Sequence, residues 1–232
     1  MADPTPSSGG SNGTSALALR EGARPGGLLA VHQGRRLEPV EKPRPESARG
    51  YMRLTAHILL QSQRRDFRTI GVVSARDGEG KTTAAVNLAV CLGRTRGRAG
   101  RVLLVDGDSQ RRTLTRTLAG DHPGPHPSLL ETPFEGVDLM TAPDGEDGFT
   151  LHDPAAWAHT LHELRPSYAQ IVIDCPSILD NPEGIVLRDC VEELVVVVQS
   201  GRTPKRALQK ALGHVTKRVI GVVLNGARPP KD

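Results

Sequence analysis

The stretch SARDGEGKTT, residues 74–83, sets two glycines, a lysine and two threonines in an order that can hold a phosphate. Gly78 and Gly80 let the backbone turn without Cβ clashes. The N–H groups of Gly78, Glu79, Gly80, Lys81, Thr82 and Thr83 can then converge on anionic oxygens, helped by the dipole of a following helix. In the pattern A-x-x-x-x-G-K-T, Lys81 reaches for the β- and γ-phosphates and the Thr82 hydroxyl for Mg²⁺. Ala75 stands where such a loop usually has its first glycine. Three aspartates, Asp106, Asp108 and Asp174, each follow an apolar run. Carboxylates so placed can hold Mg²⁺ directly or through its waters, and one of them can orient or deprotonate a nucleophile.

Those groups need elements to position them. RTIGVVS, residues 68–74, is short, apolar and β-branched, and predicts a buried strand just before the loop. TTAAVNLAVCL, residues 82–92, has small and apolar residues at helical spacing and predicts a helix just after it. Further strands are predicted over 101–108, 137–142, 169–176, 193–200 and 218–226. Helices are predicted over 46–63, 154–165 and 204–217, the last with Pro204 in its first turn. The run ELVVVVQS, residues 193–200, is apolar on both faces, as a central parallel strand must be. Alternating β and α units imply an α/β fold with a doubly wound, mostly parallel sheet. Ligands of such a sheet bind beyond the C-terminal ends of its strands. The phosphate loop, Asp106, Asp108 and Asp174 all fall there.

The 232 residues suffice for one domain and a tail. Residues 1–45 are rich in Pro, Gly, Ser and Arg, cannot bury enough apolar surface to offset their ordering entropy, and are expected to be a disordered tail. The domain then spans residues 46–232. No apolar run is long enough to span a bilayer, and a cytoplasmic protein is expected. Cys91, Cys175 and Cys190 lie singly in apolar segments without metal spacing and read as buried free thiols. His159 and His162 share a helical face but lack a third ligand, so they read as surface residues. Of the formal net charge of +4, much is arginine, clustered at Arg64, Arg65 and Arg68 and at Arg94, Arg96, Arg98 and Arg101. No aromatic residue interleaves with them, so base stacking is not expected, nor is nucleic acid as a partner.

The segments SARDGEGKTT, LLVDGD and IVIDCP resemble the Walker A, A′ and B segments of the bacterial tyrosine kinases that control capsular and exopolysaccharide synthesis. VVVVQSGRTPKRAL and VIGVVLNG are similar to later parts of that family, and the resemblance runs over roughly residues 46–228. The family lies within the wider class of MinD- and ParA-like P-loop NTPases with deviant Walker motifs. The resemblance implies ATP and Mg²⁺ as cofactors. It implies phosphate and metal binding by Lys81 and Thr82, metal roles for Asp106 and Asp108, and the Walker B role for Asp174. Asp106 is then the residue to activate a hydroxyl, and Asn225 resembles the residue that reads adenine with its carboxamide.

The chain also departs from that family. The A′ segment reads DGDSQR, with Gln110 where arginine is expected and Arg111 one place later, a pattern closer to the partition ATPases. Arg76 stands where those ATPases carry a signature lysine. In the E-x-x-R-x-x-R pattern of the first helix, Glu46 and Arg49 fit but Met52 takes the third position; with Arg53 as the middle arginine instead, Gly50 and Ala56 break the motif. The only tyrosines are Tyr51 and Tyr168, so autophosphorylation of a tyrosine-rich tail is not expected. What the resemblance implies is an ATP-dependent tyrosine kinase or ATPase, with a homo-oligomer possible. It would be recruited to the inner face of the membrane by the cytoplasmic tail of a polysaccharide co-polymerase, a chain-length regulator. The apolar, helical surface of residues 46–63 and the loops at the strand C-termini are candidate docking faces for that tail. The alternatives are a MinD/ParA-like positioning ATPase and a non-catalytic, nucleotide-bound scaffold.

Overall fold

A computed structural model describes residues 45–97, 100–120, 127–141, 154–181 and 183–227; the expected tail, up to residue 44, and Arg98 lie outside the described residues. Helix α1 (Pro45–Arg65) leads into β1 (Thr69–Ser74), α2 (Lys81–Arg96), β2 (Val102–Asp106) and α3 (Thr113–Ala119). Then follow β3 (Leu129–Glu131), β4 (Val137–Met140), α4 (Pro154–Leu164), β5 (Gln170–Asp174) and α5 (Glu183–Cys190). The described chain closes with β6 (Glu193–Gln199), α6 (Lys205–Gly213) and β7 (Arg218–Asn225).

The seven strands form one sheet in the order β3-β4-β2-β5-β1-β6-β7. All neighbours are parallel except the three-residue edge strand β3, which runs antiparallel to β4. The α/β doubly wound sheet inferred from the strand runs is therefore present. Strand β1 is buried along its whole length between β5 and β6, which is why its sequence is apolar on both faces. Alternate side chains of each strand feed two cores. One lies under α4, α5 and α6 and holds Val73, Leu103, Trp157 and Leu187. The other lies under α1, α2 and α3 and holds Ile58, Val72, Leu88 and Leu114.

The predicted strands recur with shorter ends, while α1 and α2 run longer than predicted. Helix α6 stops at Gly213 rather than 217, and Pro204 sits at its N-cap with φ −64°. Three elements were not predicted: α3, β3 and α5. Helix α1 extends the predicted 46–63, but its apolar face is spent on packing. Ile58 is fully buried, and Tyr51, Leu54 and Leu59 pack on the same core. Burying a side chain like Ile58 stabilises by roughly 1.5–3 kcal/mol. The helix crosses β7 so closely that a Cβ on Gly221 would lie 2.4 Å from a Leu54 methyl. Among the described residues of α1, only Met52 and Leu60 remain as large exposed apolar side chains, which shrinks the docking face expected there.

Three of the clustered arginines have partners within the fold. Arg65 pairs with Glu193 at 2.6 Å and lies over the Phe67 ring. Arg68 donates to the Arg165 carbonyl, and Arg101 pairs with Asp138. Cys91 and Cys175 are buried as expected, whereas Cys190 is only partly so. His159 and His162 are both exposed. Among the described residues no helix is long and apolar enough to cross a membrane.

Candidate active site

The loop from Ala75 to Gly80 leaves the end of β1 and enters α2 at Lys81, at the C-terminal edge of the sheet. Gly78 and Gly80 have φ of 77° and 97°, the left-handed region that glycine alone adopts without strain. Gly80 is also sterically required, because a Cβ there would lie 2.2 Å from Asn225 Nδ2. Gly80 is the N-cap of α2 and no side chain caps that end. An uncapped helix start, with its dipole and unpaired N–H groups, is a ready anion site.

Lys81 is buried, with 8 % of its side chain exposed, and its Nζ lies 3.4 Å from Asp77 Oδ1. Asp77 Oδ2 lies 2.7 Å from Arg111 Nη2, which comes from the loop after β2. Asp180, in the loop after β5, accepts from the Asp77 N–H and from Arg76, each at 3.0 Å. Glu79 is a buried latch. One oxygen accepts from the Arg76 N–H at 3.1 Å, the other from the Thr203 hydroxyl at 2.6 Å. Thr203 in turn accepts from the Gln199 N–H. Asn225, at the end of β7, donates its carboxamide to the Glu79 carbonyl at 3.0 Å. The loop is thus held from the ends of β5, β6 and β7 at once.

The carboxylates sit where the strand register puts them. Asp106 and Asp174 are cross-strand partners at the ends of β2 and β5. Asp106 is 1 % exposed and accepts from the Thr115 N–H at 2.7 Å and the Asp108 N–H at 3.2 Å. Burial pushes its pKa up to about 6, against the pull of the Thr115 hydrogen bonds. Asp174 is pushed up to about 7, first by burial and then by the charge of Asp106, while the Thr82 hydroxyl and Lys81 pull it down. Asp108 is turned toward its own loop, accepting from the Arg111 N–H at 2.9 Å.

Two buried carboxylates crowd each other, Thr82 touches one of them, and Asp174 Oδ1 is buried without a hydrogen-bond partner among the described residues. Together they match the demands of Mg²⁺. Among the described residues no three His, Cys, Asp or Glu side chains form a full protein cage. Mg²⁺ does not need one, since it keeps waters and takes ligands from phosphate.

The structure therefore brings Gly78, Glu79, Gly80, Lys81, Thr82, Thr83, Asp106, Asp108, Asp174 and Asn225 to one edge of the sheet. Sequence reasoning overlooked Asp77, Asp180, Thr203 and the Glu79 side chain. Asp77 stands four residues before Lys81, a spacing that could have signalled the ion pair. Asp180 and Thr203 carried no such signal, because their partners in the phosphate loop lie over 100 residues away. The two tyrosines differ. Tyr168 is buried, bonded to Asp138, and raised to about 12, chiefly by burial. Tyr51 is half-buried, and Asn87 hydrogen-bonds its hydroxyl.

A family model described as the CobQ/CobB/MinD/ParA nucleotide binding domain matches residues 70–232. The tyrosine-protein kinase YwqD of Bacillus subtilis (strain 168) is 24% identical over 222 residues, 88% of this chain and 92% of that one. The succinoglycan biosynthesis transport protein ExoP of Rhizobium meliloti (strain 1021) is 25% identical over 181 residues, 69% of this chain and 22% of that longer protein. Among solved structures, the BceF tyrosine kinase domain shares the fold with a TM-score of 0.65 at 22% identity, covering 81% of each chain.

Proposed function

The chain belongs to the CobQ/CobB/MinD/ParA nucleotide binding domain family, and on that premise we propose that it binds Mg-ATP at residues 75–83 as a tyrosine-kinase-type ATPase of polysaccharide synthesis or export. The observation that carries this reading is the convergence of Lys81 and Thr82 with Asp106 and Asp174 from adjacent strands. The similarity to a tyrosine-protein kinase and to a succinoglycan transport protein supports the process.

Each residue has a task in this proposal. The α2 N-terminus and Lys81 bind and orient the phosphates. Thr82 and Asp174, whose free oxygen needs a partner, hold Mg²⁺ with its waters. When bound, ATP supplies a transferable phosphoryl group and Mg²⁺ spreads its charge. Asp106, poised near neutral pH by burial, accepts the proton of an incoming hydroxyl or water. Asp108 fixes the loop that carries Arg111. Asn225 braces the phosphate loop through Glu79, and reads adenine only if the carboxamide is exchanged from that contact. A membrane protein's cytoplasmic tail recruits the domain and orders its loops, as closure does at many phosphoryl-transfer sites.

The test is incubation with labelled ATP and Mg²⁺, scoring phosphate release and phosphotyrosine separately, with and without the cytoplasmic tail of a chain-length regulator. Slow turnover raised by that tail supports the proposal. Full activity alone, with no binding of the tail, sinks it. A positioning ATPase is the second reading, favoured by the DGDSQ pattern of the A′ segment. DNA or anionic vesicles would then stimulate turnover in place of the tail.

A further inference from the structure

Resting on the nucleotide reading above, we propose that Arg111 is a second phosphate-binding cation, held ready by Asp77, whose carboxylate stands in for phosphate until nucleotide displaces it. The geometry is a bridge. One carboxylate touches two cations from separate loops, Lys81 Nζ at 3.4 Å and Arg111 Nη2 at 2.7 Å. Lys81 is the group that must face the phosphates, so the anion now upon it sits at the phosphate position.

Electrostatics explains why such a stand-in is present. A buried ammonium without a counter-anion is costly, and Lys81 is 92 % removed from solvent by its 8 % exposure. Asp77 neutralises it. An arriving phosphate supplies the same charge but cannot share the place with a carboxylate, because like charges in contact repel. Asp77 therefore leaves, and its two cations are freed together. Arg111 is suited to the exchange. Its backbone is pinned by Asp108 at 2.9 Å, while its guanidinium is 53 % exposed and free to follow the anion. A guanidinium fork fits phosphate as well as it fits carboxylate. Asp77 has a place to remain near, since its N–H stays bonded to Asp180. The displaced arginine of the A′ segment, one position later than the kinase family has it, thereby gains a task.

The two residues are predicted to act in opposite directions on one measurement, which a merely structural role would not produce. Calorimetric titration with Mg-ATP and with Mg-ADP reads it, with urea midpoints as folding controls. Arg111→Ala should weaken Mg-ATP binding by about tenfold or more, the loss of a charge-assisted contact. Arg111→Lys should fall between, keeping the charge without the fork; it also reads the contact if the alanine variant does not fold. Asp77→Asn, with the competing anion removed, should bind more tightly than wild type. The double variant should show less gain from Asp77→Asn than the single one, because Arg111 is then absent from the exchange. The proposal is overturned if both Arg111 variants bind within twofold of wild type, or if folded Asp77→Asn binds more weakly. If wild-type protein binds no nucleotide, both this inference and the nucleotide reading fall. If it binds and Lys81→Ala does not, while the Arg111 variants are unaffected, this inference alone falls.

Discussion

Asp174→Asn is the perturbation that most directly probes the buried carboxylate pair. In the folded protein Asp174 keeps its proton up to about pH 7, against an ordinary value of 3.8, because burial and the charge of Asp106 oppose its ionisation. The unfolded chain gives up that proton near 3.8. Between those values the folded state binds more protons, so raising the pH favours unfolding. The stabilising contribution is complete below the unfolded value and is lost as pH rises through the folded one. The gap corresponds to roughly 4 kcal/mol, of which a coupled pair would deliver on the order of half or more. Asparagine keeps the shape and cannot ionise. The variant should therefore match wild type near pH 4 and exceed it at pH 8 by about 2–4 kcal/mol. Urea denaturation of nucleotide-free protein at a series of pH values measures this, provided the slopes are equal. Mg-ATP should bind the variant weakly. A variant that gains nothing at pH 8, or a wild type whose difference from it grows toward acid, would refute the argument.

Lys81→Ala removes the ammonium that faces the phosphates, and nucleotide affinity should fall at least tenfold, about 1.4 kcal/mol, by calorimetry on folded protein. Gly80→Ala sets a Cβ 2.2 Å from Asn225 Nδ2 at a φ of 97°. It should cost on the order of 1–3 kcal/mol in urea midpoints and also weaken nucleotide binding. Adding Asn225→Ala should recover only the steric part, because the positive φ remains. Thr203→Val breaks the Glu79 latch and should raise backbone amide exchange in residues 76–80 before it changes global stability. After incubation with ATP, mass spectrometry should find no phosphate on Tyr168, which is buried against Asp138. Abundant modification there would contradict its structural role.

The α/β alternation, the loop and its lysine, and the aspartates at strand ends were all legible in the chain. Each rests on local physics: a β-branched run makes a strand, small residues at helical spacing make α2, and glycines turn the backbone between them. Burial merely confirms what those patterns already require. The short elements were not legible. Strand β3 has three residues and pairs antiparallel only because β4 offers it an edge. Helix α3 has seven residues, and a carboxylate outside the helix holds its N-terminal half through the Thr115 N–H. Neither segment has enough of its own pattern to predict a state.

The working connections of the site belong to tertiary structure for the same reason. Asn225 resembles a residue that reads adenine, and the fold adds a bond from its carboxamide to the Glu79 carbonyl. Glu79 was named for its N–H, and its side chain also ties the loop to Thr203. Arg111, a misplaced arginine in the sequence, becomes a partner of Asp77 and hence of Lys81. Local sequence fixes which groups stand at the end of each strand. Which of them touch depends on the order β2-β5-β1-β6-β7. That order is set by how two-sided apolar strands and their crossover helices fill both cores together, a condition on the whole chain that no single segment contains.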